Sequence, residues 1–281
     1  MFDKRVACCL CVRNCRKYLP QIFNNLERLS SKFSNCWFIF VYDNCTDKSG
    51  EMLKNWQSKI GDKVIIKEIE NKSNCRTTRI AKARNACLDI VYNRLTDIDF
   101  HIMIDADNVN ISPWKIANIT KYLDNDDWDS LSFNRNRYYD IWALLYGNIR
   151  HHCWGYNGMR NCQQIVGIMA NDIKNRLSKM KEGELFNCYS AFNGFAIYKT
   201  QRFKDIRYDG TWKSFKEITN INWRNETLNL FKKILRNPSL QTIEGSIHHN
   251  KWGEHCEHLY YHVSAIQKNN ARIRIAKDMI I

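Results

Sequence analysis

The stretch FHIMIDADNV (residues 100–109) contains a short apolar run that ends in two aspartates, spaced one residue apart. The run at 100–104 predicts a buried β-strand, so Asp105 and Asp107 would stand at its carboxyl end. Two carboxylates at this spacing repel each other unless a cation neutralises them, and Mg²⁺ and Mn²⁺ prefer oxygen ligands, phosphates included. The pair therefore predicts a site for Mn²⁺ or Mg²⁺ with a diphosphate. The alternative is a solvated turn in which an aspartate caps the backbone.

The first 110 residues alternate between short apolar runs and longer amphipathic segments. The apolar runs lie at 5–12, 36–42, 63–69 and 100–104, and helical patterns lie between them at 17–31, 47–60 and 77–94. This alternation is typical of βαβ units. Three of the runs lack polar alternation, which indicates parallel strands covered by helices on both faces. We therefore expect an α/β fold with an open, twisted, mostly parallel sheet flanked by helices.

The second half of the chain has a weaker pattern. We expect a strand at 129–134 followed by a helix, a helix at 160–180 and a final helix at 257–268. The stretch FNCYSAFNGFAIYKT (186–200) predicts two strands interrupted at Asn193 and Gly194. Ser112 is a candidate helix N-cap, with Pro113 at the first helical position. Because no repeat or low-complexity linker divides the chain, we expect one domain over 1–281, with halves at 1–110 and 111–281.

Polar residues follow the predicted strands at the points where they end. Arg13 follows the first strand, Asp43 the second, and Asp105 and Asp107 end the strand at 100–104. Ligands of open α/β sheets bind beyond the carboxyl ends of the strands. We therefore expect these four side chains to line one binding site.

The chain is basic, with 43 Lys and Arg against 29 Asp and Glu and a formal charge of +14. Such a charge attracts polyanions or nucleotide phosphates. The basic residues are scattered and form no run of five or six, so we expect no specific nucleic-acid partner. The sequence gives no indication of oligomeric state.

No signal peptide and no apolar run long enough to cross a membrane is visible in the sequence. Its twelve cysteines lie mostly inside apolar stretches and contain no paired CxxC motifs. These features favour reduced, buried thiols over disulfides or structural zinc. We therefore expect a cytoplasmic protein without a transmembrane segment.

The stretch WGEHCEHLYYH (252–262) combines carboxylates with imidazoles at a predicted helix start. Glu257 could take a proton from a hydroxyl group. Because His255, His258 and His262 are spaced as on a helix face, the alternative is that they satisfy hydrogen bonds in the core. Aromatic residues in this half could stack on sugar faces, and the candidates are Tyr138, Tyr139, Trp142, Trp154, Trp212 and Trp252.

Several of these motifs, in this order, resemble GT-A glycosyltransferases of the family-2 type. The resemblance rests on VYDNCTDKSGEML (41–53), TTRIAKARNACLDIV (77–91) and the paired aspartates. The segments SAFNGFAIYK (190–199) and CEH (256–258) are also similar to viral and fungal enzymes of mannosyltransferase type. One departure is Asn44-Cys45-Thr46, which stands where the family has Ser or Thr after the aspartate of the second strand.

The resemblance implies a transferase that uses a UDP- or GDP-sugar, with a glycan or glycoprotein as acceptor. It implies that Asp43 contacts the nucleobase, that Arg84 lies near the diphosphate or nucleobase, and that Asp105 and Asp107 contact ribose and metal. It further implies that Asn193 and Gly194 lie against the donor sugar and that Glu257 is the general base. His258 or His249 would be a third metal ligand.

Other interpretations remain open at this point. Arg84 could form only a surface ion pair, with Asp89 or Glu70. IMIDADNV also fits the motif of haloacid-dehalogenase phosphatases, with Asp105 as nucleophile and Asp107 as general acid. That motif opens its fold on the first strand, whereas three βα units precede it here. A noncatalytic basic binding module would leave the convergence of the aspartates unexplained.

Overall fold

The four apolar runs of the first half form neighbouring parallel strands in a computed structural model, which describes residues 1–150, 161–219, 221–241 and 253–281. The strands are β1 (Phe2–Val12), β2 (Phe33–Tyr42), β3 (Val64–Glu68) and β4 (Phe100–Asp105), in the spatial order β3-β2-β1-β4. All three contacts between them are parallel.

Strand β1 is apolar without alternation because both of its faces are covered. Val6, Cys8 and Leu10 pack with the helices α1 (Leu19–Ser30) and α2 (Ser49–Ile60) on one side of the sheet. Ala7 and Cys9 pack on the other side, against α3 (Arg76–Asn93) and α8 (Glu257–Asn269). Burial on both faces is the expected state of a central parallel strand.

The sheet continues without a break into the second half of the chain. Its strands are β5 (Ser130–Asn134), β6 (Leu185–Cys188), β7 (Phe195–Lys199) and β8 (Ile273–Met279), and the described residues give an eight-stranded order β3-β2-β1-β4-β7-β5-β8-β6. Strand β7 is antiparallel to both β4 and β5, so β5 runs in the direction of β4. The α/β prediction with a mostly parallel sheet is confirmed.

The remaining helices surround this sheet. They are α4 (Ile116–Thr120), α5 (Cys162–Ser178), α6 (Trp212–Ile218) and α7 (Ile221–Leu235). In the described parts of the chain, no helix combines the length and apolar character needed to cross a membrane. Every cysteine that the structure describes is a free thiol, and most are buried.

Two local predictions were wrong, both because a side chain from elsewhere binds the backbone. Ser112 and Pro113 do not begin a helix; α4 begins at Ile116, with Lys115 as its N-cap. The Asn25 amide donates to the Ser112 carbonyl at 2.8 Å and accepts from the Trp114 N–H at 3.2 Å, so this backbone is already paired.

The helix expected directly after β5 is also absent from residues 135–150. The chain there contains only a single 3₁₀ turn at Ile141–Ala143. The backbone N–H groups of Tyr139 and Asp140 donate to the Asn193 side chain at 3.2 and 3.4 Å. These bonds hold the segment as a loop above the carboxyl ends of β4 and β5.

Candidate active site

A cavity of about 570 Å³ opens at the carboxyl ends of β1, β2 and β4. Its walls bring together most of the residues predicted from the sequence, namely Arg13, Asp43, Arg84, Asp105, Asp107, Glu257 and His258. The strand ends therefore converge as their positions predicted.

Asp105 is the last residue of β4, and its backbone N–H and both carboxylate oxygens form hydrogen bonds. Its N–H donates to the Gly194 carbonyl at 3.0 Å. Its Oδ1 accepts from Arg84 Nη2 at 3.1 Å, and its Oδ2 accepts from the Tyr139 hydroxyl at 3.1 Å. Burial, followed by the charge of Asp105, raises the pKa of Tyr139, which keeps its hydroxyl protonated as a donor. Both oxygens of Asp105 thus have a protein partner.

Asp107 is less constrained than Asp105. Its Oδ1 accepts the Val109 N–H at 3.1 Å and so caps the 3₁₀ turn Asn108–Asn110. Its other carboxylate oxygen has no hydrogen bond to the described residues. Burial and the charge of Asp105 raise the pKa of Asp107, against the influence of the Val109 N–H, Arg135 and Arg76. One oxygen of Asp107 therefore caps a turn, as the alternative interpretation of the aspartate pair expected, and the second oxygen is available to a ligand.

Arg84 lies inside the cavity wall and not on the surface. Its side chain is only 4% exposed, its Nε donates to Glu257 Oε1 at 3.0 Å and its Nη2 donates to Asp105. The surface ion pair with Asp89 or Glu70 is therefore wrong: Asp89 pairs with Arg207, and Glu70 with Lys72. Burial works against the charge of Arg84, but Glu257 and then Asp105 raise the pKa of the guanidinium.

Glu257 is the first residue of α8 and is 5% exposed. One oxygen is bound by Arg84, and the other makes no hydrogen bond within the described residues. The neighbouring His258 lies 3.8 Å from Glu257 and stacks on Phe192, with ring centroids 3.7 Å apart. Burial, then Arg84 and His262, lower the pKa of His258, so its imidazole is neutral. Neither ring nitrogen of His258 has a hydrogen-bond partner in the described part of the chain.

The other two histidines of the cluster do not line the cavity. His262 forms hydrogen bonds with the Ser190 hydroxyl at 2.8 Å and with the Tyr198 hydroxyl at 3.1 Å, as expected for a core histidine. His255 stacks on Phe215 with ring centroids 4.1 Å apart. His249, Trp154 and Trp252 lie outside the described residues.

At the far side of the cavity, Asp43 and Arg13 face each other at 3.7 Å. Asp43 is buried, and its Oδ2 has no hydrogen-bond partner among the described residues. A buried acceptor without a donor costs free energy, and an N–H group of a ligand would satisfy it. This geometry suits a nucleobase edge.

Asn193 and Gly194 support the wall from behind and do not line it. Asn193 is buried, and its amide donates to the Phe133 carbonyl at 2.9 Å. Gly194 has φ +81°, and a Cβ there would lie 2.5 Å from the Tyr139 hydroxyl. The close approach that this glycine permits in the structure is therefore to Tyr139.

The sequence reasoning missed Asp140, Arg76 and Arg79, which also line the cavity. Burial, then Asp105 and Glu257, raise the pKa of Asp140 to about 7. The signal for Asp140 was available in principle: β5 runs in the direction of β4, so the residues after β5 belong to the same rim. Arg76 and Arg79 begin α3, where their side chains extend over the cavity.

The aspartate pair can supply part of the coordination shell of a hard divalent cation. Among the described residues, no three His, Cys, Asp or Glu side chains are grouped as a complete metal site. Mg²⁺ is commonly held by one or two carboxylates with substrate phosphates completing its shell. The free oxygen of Asp107, with Asp105 beside it, offers such a partial site, and His258 would be the nearest imidazole in the cavity wall.

The model of glycosyl transferase family 2 matches residues 7–192, which contain most of β1, all of β2–β6 and most of the cavity residues. No curated protein matches the chain.

Solved structures similar to the chain include the following three proteins. TarS 1–349 from S. aureus, in complex with UDP-GlcNAc, has 13% identity and a TM-score of 0.46, with 98% of this chain and 57% of TarS 1–349 covered. Mannosyltransferase PcManGT from Pyrobaculum calidifontis, in complex with GDP-Man and Mn²⁺, has 11% identity and a TM-score of 0.43, with 95% and 70% covered. Glucosyl-3-phosphoglycerate synthase from Mycobacterium tuberculosis has 9% identity and a TM-score of 0.41, with 83% and 66% covered. The chain thus spans only part of the length of each.

Proposed function

The chain belongs to glycosyl transferase family 2, and we propose that it transfers a sugar from a UDP- or GDP-sugar to a hydroxyl group of a glycan, with Mn²⁺ or Mg²⁺ as cofactor. The observation that carries this proposal is the joint location of the paired aspartates and Glu257 in one cavity, connected by Arg84. Both a cation site for a diphosphate and a carboxylate for a hydroxyl proton are then within one binding space.

In this proposal the donor occupies the side of the cavity formed by β1, β2 and α3. Asp43 would accept an N–H of the nucleobase, with Arg13 beside it. Arg76 and Arg79 would lie near the phosphates, where their charge favours an anion. Asp107, with Asp105, would hold the divalent cation, which neutralises the charge that develops on the leaving diphosphate.

The acceptor would occupy the opposite side, formed by the loop after β5 and the start of α8. Tyr139 and Trp142 present aromatic rings there, and Asp140 presents a carboxyl group. Aromatic faces and carboxyl groups together suit the apolar faces and hydroxyl groups of a sugar. This combination supports a carbohydrate acceptor.

Glu257 would act as the general base. As the acceptor oxygen bonds to the anomeric carbon and the bond to the diphosphate breaks, the free oxygen of Glu257 would take the hydroxyl proton. A base placed opposite the leaving group gives a product with inverted anomeric configuration. His258, held neutral beside Glu257, would be available as a hydrogen-bonding group or third metal ligand.

A thermal-shift panel of nucleotide sugars, each with Mn²⁺ or with EDTA, tests the proposal. A ligand at a hundred times its Kd stabilises the native state by about 2.7 kcal/mol. We expect a UDP- or GDP-sugar to raise Tm in Mn²⁺ and to have little effect in EDTA. If no nucleotide sugar shifts Tm, but the protein hydrolyses a simple phosphomonoester in Mg²⁺, the phosphatase alternative is the better account.

A further inference from the structure

Four side chains form a continuous hydrogen-bonded chain across the cavity wall. The Tyr139 hydroxyl donates to Asp105 at 3.1 Å, Arg84 donates to Asp105 at 3.1 Å, and Arg84 also donates to Glu257 at 3.0 Å. Glu257 is separated from Arg84 by 173 residues and comes from a different element. The chain therefore joins the donor side of the cavity to the acceptor side through one guanidinium.

The Arg84 guanidinium is held in place from several directions. Its carbon lies 4.8 Å from the ring centre of Phe192 and 5.7 Å from that of Tyr208. Tyr208 is itself fixed by the neighbouring Asn85, which exchanges two hydrogen bonds with its backbone, at 2.8 and 2.9 Å. A buried cation between two aromatic rings and two carboxylates has little freedom to turn.

We propose that Arg84 is a positioning residue for Glu257: it fixes Glu257 Oε1 and so directs the other carboxylate oxygen to the acceptor. This inference rests on the proposed function in taking Glu257 as the base. The Nε–H of Arg84 binds Glu257 and its Nη2–H binds Asp105. Because the guanidinium is planar and rigid, it holds these two carboxylates at a fixed relative position.

The rival role for Arg84 is direct binding of the donor diphosphate. Two of its three nitrogen groups already donate to carboxylates. The third, Nη1, is buried and has no hydrogen-bond partner in the described part of the chain. A phosphate contact would therefore depend on Nη1 alone, whereas the Glu257 contact uses Nε at 3.0 Å.

Three variants separate these roles. Arg84→Met removes the charge. Arg84→Lys keeps the charge but cannot donate to Glu257 and Asp105 from one rigid planar group. Arg207→Met is the matched control. Arg207 forms a 2.7 Å ion pair with Asp89 on the same helix α3 but lies outside the cavity. The readouts are kcat with a nucleotide sugar and the Kd of the nucleotide, measured by calorimetry. A wild type that turns over no nucleotide sugar would overturn the proposed function and this inference with it, whereas an active wild type isolates the role of Arg84.

With a donor that the wild type turns over, we expect kcat of both Arg84 variants to fall roughly 10²-fold, because the Glu257 carboxylate loses its fixed orientation, while the Kd of the nucleotide changes less than about threefold. The Arg207→Met variant should match the wild type in both quantities.

A double variant gives the sharpest discrimination. If Arg84 acts through Glu257, Arg84→Lys should cause no further loss of kcat once Glu257→Gln is present. Unchanged kcat in both Arg84 variants would overturn the inference. So would a rise of more than tenfold in nucleotide Kd, which would make Arg84 a donor-binding residue. If Arg84→Met does not fold, Arg84→Lys and the double variant still decide.

Discussion

Glu257 has one oxygen bound by Arg84 and one without a hydrogen bond to the described residues, which is the arrangement expected of a base awaiting a substrate proton. This second oxygen is not among the fully buried unpaired atoms, so it is open to the cavity. Its accessibility at the cavity wall is the residue-scale reason for assigning Glu257 a role in the reaction.

Replacing Glu257 with glutamine tests that role. Glu257→Gln keeps the size and one acceptor oxygen but cannot take the proton. We expect turnover to fall by roughly 10²–10⁴-fold while nucleotide binding changes little. The control is Glu217→Gln, at an exposed position of α6. Near-normal turnover of Glu257→Gln would make Glu257 structural, and the anomeric configuration of the product, read by NMR, would then show whether a retaining mechanism operates.

At the scale of elements, the start of α3 depends on a close backbone approach to the segment before α6. A Cβ on Gly210 would lie 2.4 Å from the carbonyl carbon of Thr77. The Gly210 carbonyl accepts from the Thr77 hydroxyl at 2.7 Å and from the His255 N–H at 2.9 Å. Gly210 therefore fixes both the start of α3, with its cavity arginines, and the approach to α8.

Gly210→Ala should accordingly disturb stability and binding together. Because the neighbouring atoms belong to the backbone, the added methyl group must displace α3, at a cost of about 1–3 kcal/mol. Gly167→Ala is the control: it lies within α5, has nothing within 4 Å of its Cβ, and should stabilise the helix by about 0.5–1 kcal/mol. Urea unfolding measures both free energies. Equal effects of the two substitutions on the free energy of unfolding would contradict the close packing of Gly210 against the start of α3.

At the scale of the whole molecule, three buried imidazoles connect stability to pH. Burial lowers the pKa of His101 to about 3, and burial followed by Arg84 lowers that of His262 to about 3. The pKa of His258 is also lowered. In the unfolded chain these groups take up protons near pH 6.5, whereas in the folded protein His101 and His262 do not until about pH 3 and His258 does so only well below its usual range. Stability that is complete above pH 6.5 is therefore lost as the pH falls toward 3.

Asp140 and Asp107 act in the opposite direction, because raised pKa values let the folded state hold protons that the unfolded state has released. The three imidazoles outnumber these two carboxyl groups. Each proton by which the unfolded state exceeds the folded state changes the free energy of unfolding by about 1.4 kcal/mol per pH unit. We expect the free energy of unfolding to fall between pH 6.5 and 4.5 in urea titrations, and to fall more steeply in Asp140→Asn. A flat profile would mean that the imidazoles are protonated in the folded state.

The sequence predicts the convergence of Asp43, Asp105 and Asp107 on one cavity because each stands at the end of a strand whose apolar run is visible, and parallel strands end at one rim. The opposite side of the cavity is different. The contact between Arg84 and Glu257 joins residues 173 positions apart, and the loop with Tyr139 and Asp140 is held by Asn193. Such long-range hydrogen bonds leave no periodic signal in the sequence, which is why a helix was expected there.

The central claim is that the paired aspartates bind a nucleotide diphosphate through a divalent cation. Its most direct test is calorimetric titration of UDP and GDP, with and without Mn²⁺, into wild type, Asp107→Asn and the exposed control Asp124→Asn. Asn keeps an oxygen that can cap the Val109 N–H, so Asp107→Asn loses the charge and not the turn. The account predicts Mn²⁺-dependent binding of one nucleotide by wild type and Asp124→Asn, and loss of that dependence in Asp107→Asn. Unchanged affinity and unchanged Mn²⁺ dependence in Asp107→Asn would contradict it.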